Sequence, residues 1–232
     1  IDGLDLLPDL KVFSAAMHTI RSLDGLRAAP HLLELDLSLN EISDISGIEW
    51  LSHIHRLRLS HNEINDLEGI RGLSSLHELD LGFNQLSDIS PLSQLSQLEI
   101  LILNGNRGLA DLAGVPPFLR ELHVTQAFVG KWDSLLGSKR LESLSISPGT
   151  MKGMAFLTDL PLLQTLKISA GRLHGNIHLP DLPLVQTLRI HKAIQVSGLS
   201  GFSENCQLGH LDIGNSLLES PPDLAGCNSL ET

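Results

Sequence analysis

Apolar residues recur along the chain with the spacing L-x-x-L-x-L, and an asparagine follows three residues later. The clear copies are Leu32-Leu35-Leu37-Asn40, Ile54-Leu57-Leu59-Asn62, Leu76-Leu79-Leu81-Asn84 and Leu98-Leu101-Leu103-Asn106, each displaced by 22 residues from the one before. A weaker copy, Leu10-Phe13-Ala15-His18, precedes them. Five more keep the apolar positions and change the turn residue: Leu119-Leu122-Val124-Ala127, Leu141-Leu144-Ile146-Gly149, Leu163-Leu166-Ile168-Gly171, Val185-Leu188-Ile190-Ala193 and Leu208-Leu211-Ile213-Ser216. The L-x-L segment has the period of a strand whose leucines point inward. One such strand per repeat stacks into a parallel sheet at about 4.8 Å per step, and each coil buries its leucines only against its neighbours. Asparagine at the strand end satisfies backbone groups that the turn leaves unpaired inside the coil. Asn40, Asn62, Asn84 and Asn106 are therefore expected to form a structural ladder rather than a ligand site.

After each asparagine the apolar period becomes three, as in Ile42-Ile45-Ile48-Leu51 and Leu86-Ile89-Leu92-Leu95, which predicts 3₁₀ turns or one short helix on the opposite side. Ser90-Pro91 reads as an N-cap followed by proline at the first helical position, with Ser46-Gly47 in the equivalent place. Asp44, Asp66, Asp88 and Asp111 recur just before this turn. Each is expected to cap its own turn, because a calcium site needs several oxygens converging on one point. Beyond residue 116 the pattern loosens. A residue is inserted at Arg107-Gly108, Pro116-Pro117-Phe118 shortens a coil, and the Gly-containing stretches 171–176 and 197–201 predict loop-like connections. The expected organisation is a single domain over 1–232, regular over 1–116 and irregular over 117–232. Ile1-Leu4-Leu7 begins at the end of a repeat and Leu230-Glu231-Thr232 stops at the start of one, so part of a longer chain is expected.

Ten copies in phase resemble the leucine-rich repeat family, and in particular its short 22-residue class, found in bacterial internalins and in a regulatory subunit of protein phosphatase 1. The resemblance implies an α/β fold: a right-handed leucine-rich repeat solenoid, or horseshoe, with a concave parallel sheet and a convex side of 3₁₀ turns, short helices or loops. For function it implies a protein-protein interaction module that binds its partner on the concave face. Two alternatives stand beside this. One is the substrate-recognition domain of a larger bacterial effector or enzyme. The other is a surface adhesin of internalin type, a likeness carried by Asp88-Ile89-Ser90-Pro91-Leu92.

The strand pattern also says which residues face outward on that sheet. They are Glu34 and Asp36 in one copy, Arg56 and Arg58 in the next, and Glu78 and Asp80 in the third, an acid-base-acid ladder of lateral neighbours. Ile100 and Ile102 follow, with Phe83 at a strand end beside them and His123 one copy on. An exposed apolar group with a charged rim marks an interaction surface, so these ten residues form the predicted protein-binding site. Lys167, Arg189, His191 and Lys192 make a secondary basic patch adjoining His210 and Asp212, with Arg189 expected to pair locally with Asp212.

Composition narrows the partner. The chain has 50 leucines against 6 Phe, 2 Trp and no Tyr, so the core is aliphatic. Net charge is -11, unevenly spread: residues 1–116 hold 7 Lys/Arg and 17 Asp/Glu, and residues 117–232 hold 9 and 10. Such a field disfavours nucleic acid and anionic membranes, and no apolar run is long enough to span a bilayer. Another protein is the expected partner. Eleven histidines invite a metal search, yet His53, His55, His174 and His178 have no ligand spacing, and there is no phosphate loop or nucleophile motif. No metal, cofactor or catalytic residue is expected, and the segment is read as not an enzyme. Cys206 and Cys227 are expected to be buried free thiols, and a cytoplasmic or host-delivered location is favoured over the cell surface.

Overall fold

The structure, a computed structural model, describes all residues except 2, 149–150, 172, 203–205, 215–217, 220, 223, 225–226, 228–229 and 231–232, and the backbone alone at 151–153. The turn positions Gly149 and Ser216, and the chain end at Glu231-Thr232, lie outside the described residues. The chain forms two compact units, residues 1–109 with 113–119, and residues 110–112 with 120–232.

In the first unit five three-residue strands run parallel in chain order: β1 (Val12–Ser14), β2 (Glu34–Asp36), β3 (Arg56–Arg58), β4 (Glu78–Asp80) and β5 (Ile100–Ile102). The register is in phase with the repeat, with Leu35, Leu57, Leu79 and Leu101 aligned across β2 to β5. These leucines are at most 1 % exposed, as are Leu37, Leu59, Leu81 and Leu103 two residues on. Burying a leucine contributes roughly 1.5–3 kcal/mol, so the repeated apolar positions dominate the stability of each coil. The opposite side consists of 3₁₀ turns at Leu4–Leu6, Asp24–Ala28, Ile48–Trp50, Glu68–Ile70 and Ser90–Gln94.

The aspartates before these turns act locally. Asp44, Asp66 and Asp88 each accept a bond at 2.8 Å from the backbone N–H two residues on, and the Ser46 and Ser90 hydroxyls also donate to Asp44 and Asp88. Asp111 instead sits in a β-bridge to Lys131. The expected serine caps are corrected in detail: Ser90 is the first residue of its 3₁₀ turn and Gly47, not Ser46, precedes Ile48. The aspartate supplies the capping oxygen, and Gly47 adopts φ +97°, a left-handed conformation that a side chain disfavours.

The four asparagines complete the first unit. Each is at most 9 % exposed, and each amide joins two coils. Asn84 is typical: Oδ1 accepts from Ile64 N–H of the preceding coil at 3.0 Å, while Nδ2 donates to Leu59 O of the preceding coil and Leu81 O of its own, at 3.0 and 3.1 Å. Asn40, Asn62 and Asn106 repeat this arrangement.

The second unit continues the strand pattern with β6 (Glu121–Val124), β7 (Ser143–Ile146), β8 (Thr165–Ser169), β10 (Thr187–His191) and β12 (His210–Ile213), again parallel. Its connections differ. The loops expected at 171–176 and 197–201 are corrected, because β9 (Gly175–His178) and β11 (Val196–Ser200) pair as a second, two-stranded parallel sheet. Ile177, Leu179, Val196 and Leu199 are buried there, and their burial outweighs the flexibility of the neighbouring glycines. Ala127 and Ala193 replace the ladder asparagine and are buried as apolar residues. Cys206 and Cys227 form a disulfide, with Cα atoms 4.7 Å apart, so the expectation of free thiols is overturned. Their separation of 21 residues brings equivalent points of successive coils together, which is the geometry a bridge requires.

Candidate functional site: the open face of the sheets

Alternation along each strand leaves its first and third residues on the face away from the core, half-buried beside their lateral neighbours. In the first unit the register aligns Glu34, Arg56, Glu78 and Ile100 in one row and Asp36, Arg58, Asp80 and Ile102 in the next. The charges in these rows are largely satisfied from within. Arg56 reaches Glu34 at 2.8 Å and Glu78 at 2.6 Å, and Arg58 reaches across the rows to the other oxygen of Glu78 at 2.9 Å. The hydrogen bonds that Arg56 donates to Glu78 and then to Glu34 raise its pKa above the ordinary value. Asp36 and Asp80 take a different role, each accepting from the backbone N–H two residues on, at 3.0 and 2.9 Å. Ile100 and Ile102 extend both rows as an apolar end.

Phe83 lies just past the end of β4 and is 40 % exposed. Its ring stacks on His61, with centroids 4.3 Å apart and planes 9° apart. It also lies over Gly105, where a Cβ would come within 2.5 Å of the ring. The sequence reading missed His61 and the row to which it belongs. Met17, Leu39, His61 and Phe83 occupy the same repeat position, one residue before His18, Asn40, Asn62 and Asn84, and all have left-handed backbone with φ between 55° and 64°. That fixed place before the ladder residue was the available signal, although the residue types there share no pattern.

The remaining predicted site residues belong to the second unit. His123 is held by Glu121 at 2.6 Å, which occupies both side chains locally. Lys167 and Arg189 are register neighbours on β8 and β10, and His191 aligns with Ser169. Lys192 lies just past the end of β10, with φ +58°. The expected Arg189–Asp212 ion pair is corrected. The two residues are aligned across β10 and β12, but among the described residues the contact of Asp212 is with His191, at 4.0 Å. Among the described residues no three His, Cys, Asp or Glu side chains are grouped to hold a metal ion, and no helix is long and apolar enough to cross a membrane.

Comparison with known proteins agrees with this architecture. Residues 52–94 and 74–117 match a family model described as Leucine Rich repeats (2 copies), and residues 28–49 match one described as Leucine Rich repeat. No curated protein matches the chain in sequence. Among solved structures, an internalin (InlF) from Listeria monocytogenes str. 4b F2365 is 23 % identical with a TM-score of 0.72, over 98 % of this chain and 74 % of that one. Internalin C2 from the same strain is 26 % identical with a TM-score of 0.58, over 72 % and 75 %. The LRIM1/APL1C complex is similar at 16 % identity and a TM-score of 0.63, over 88 % and 43 %. With its in-phase 22-residue repeats, buried asparagine ladder and parallel strands, the chain has the leucine-rich repeat fold, and residues 28–49 and 52–117 match the family's own repeat models.

Proposed function

We propose that the chain is a protein-interaction module whose partner docks on the open face of the first unit, centred on Ile100 and Ile102. The observation that carries this reading is the pair of half-buried isoleucines set beside a charge ladder that is already paired. A partner that covers the isoleucines gains apolar burial, and it need not break the Arg56 pairs to do so. Glu34, Asp36, Glu78 and Asp80 oppose only Arg56 and Arg58, so the rows retain an excess of two negative charges. This favours a partner with an apolar centre and a Lys/Arg rim, which the charge orients and steers. Similarity to one chain of the LRIM1/APL1C complex supports binding as the general role. The experiment compares capture of partners by the wild-type chain and by an Ile102→Glu, Arg56→Glu variant whose circular dichroism and melting show a retained fold. The expected result is loss of a specific partner with the variant; equal capture by both excludes this face.

A second reading, a secreted or surface protein of internalin type, is favoured by one observation. The Cys206–Cys227 disulfide suits an oxidising compartment better than the cytoplasm, and the internalin likeness agrees with it. Mass measurement of the native protein with and without reductant and alkylation tests this directly. A bond present in cells supports export, and two alkylatable thiols return the cytoplasmic reading.

A further inference from the structure

The open face of the second unit holds two cations that have no acidic partner among the described residues. Lys167 on β8 and Arg189 on β10 are register neighbours, which places like charges on adjacent strands about 4.8 Å apart. The ion pairs described in this unit are Arg120 with Glu142, His123 with Glu121, and His191 with Asp212. None of them engages Lys167 or Arg189. One strand further on, Ser145 aligns with Lys167 and is only 3 % exposed. Both its hydroxyl and the Nε of Arg189 are buried without a hydrogen-bond partner. Native structures rarely leave such donors unmet, and the exceptions commonly mark where an ion or ligand belongs.

The three residues form one row across β7, β8 and β10; on these strands the flanking rows carry hydroxyls and His191, and the preceding row's Glu121 on β6 is bound to His123. Ser143, Thr165 and Thr187 precede it, and Ser169 follows on β8. On the next strand Asp212 is aligned with Arg189 and in contact with His191. This contrasts with the first unit, where each arginine of the equivalent rows contacts a glutamate.

We propose that Ser145, Lys167 and Arg189 form an oxyanion site that takes a phosphate group, either free or as a monoester on a ligand. Two adjacent positive charges call for a dianion, and the guanidinium, ammonium and hydroxyl donors are suited to several oxygens on one centre. A single carboxylate neutralises only one of the two. The site lies in the second unit and does not depend on what docks on the first.

The test is a titration of the ¹⁵N-labelled full chain with inorganic phosphate at low ionic strength and a pH of about 7.5, where the dianion is the major form of phosphate. Chloride and acetate at matched ionic strength are the references. Saturable amide shifts confined to the neighbourhood of residues 145, 167 and 189 are expected, with little response to acetate. O-phosphoserine at the same site distinguishes a group carried on a ligand, if it binds more tightly than inorganic phosphate, from a site for the free ion. Lys167→Met and Arg189→Gln are each expected to weaken phosphate about tenfold or more, the scale of one charge-assisted hydrogen bond. Arg56→Gln in the first unit leaves the affinity unchanged. Without phosphate, Lys167→Met melts no lower than wild type, because it removes a like-charge contact. Ser145→Ala keeps both charges and gives a smaller loss, about threefold, which covers the case in which a charge variant misfolds. Shifts that fail to saturate, equal affinity for acetate, or phosphate binding unaffected by Lys167→Met overturn the proposal.

Discussion

The two units have the same strand pattern but satisfy their polar groups by different means. In the first, each ladder asparagine ties a coil to the one before it, and Arg56 and Arg58 are bound to glutamates on neighbouring strands. In the second, alanines occupy two of the ladder positions, a two-stranded sheet and a disulfide brace the coils, and Lys167 and Arg189 lack acidic partners among the described residues. A regular repeat can meet its polar requirements from its own period, since equivalent positions always arrive at equivalent distances. Once the period loosens, nonlocal devices replace it, and side chains are left available for external ligands.

This contrast can be broken most sharply at the ladder. Asn84→Ala orphans the Ile64 N–H, at roughly 1–3 kcal/mol, and removes one of the two amide bonds that the Leu59 and Leu81 carbonyls each accept, the others coming from Asn62 and Asn106, at roughly 0.5–1.5 kcal/mol each. A loss of about 3 kcal/mol in urea unfolding is expected, and a loss below about 1 kcal/mol would show that water or relaxation replaces the ladder readily. Next in size is the second unit's brace. Cys206→Ser removes a crosslink between residues 21 apart, and about 2–3 kcal/mol is expected to be lost. Hydrogen exchange should accelerate in the second unit and leave the amides of β1 to β5 unchanged.

Smaller effects sharpen the electrostatic half of the comparison. Arg56→Gln breaks pairs whose members are partly exposed, and solvent screening limits the cost to about 1 kcal/mol or less. The difference from wild type should shrink further at high salt. Smallest is the acid response of the turns. The Ser46 hydroxyl and then its N–H hold the Asp44 carboxyl below its ordinary value, and the Ser90 N–H and then its hydroxyl do the same for Asp88. A depressed folded pKa adds stability above the ordinary carboxylate value and loses it as pH falls through the folded value. An Asp44→Asn, Asp88→Asn variant should therefore be slightly less stable than wild type at neutral pH. The two melting curves should converge as pH falls below about 4.

The parallel strands, the inward leucines and the outward rows of the first unit were legible because they follow directly from a strict period. Leu57 and Arg56 are assigned to opposite faces by adjacency alone. What escaped reading depends on choices that periodicity leaves open. The glycines near 175 and 198 concealed strands β9 and β11, whose pairing is decided by burial of Ile177 and Leu199. Two cysteines one coil apart suit either a bridge or separate thiols, and their final separation in space decides between them. Arg189 and Asp212 were correctly expected to be lateral neighbours. Yet adjacency of strands does not determine which way a carboxylate leans, so the ion pair did not follow. The row from Met17 to Phe83 was hidden for a different reason: a conformation recurs there while the residue type does not.

The way each ladder amide is shared also bears on how such a chain can lengthen. Asn62, Asn84 and Asn106 bond only to their own coil and the one immediately before. A duplicated stretch of one period thus arrives with its own fastening and finds a ready acceptor in its parent. Growth by tandem copying is buffered in the first unit, whereas in the second a new copy inserted between Cys206 and Cys227 would part the bridged pair.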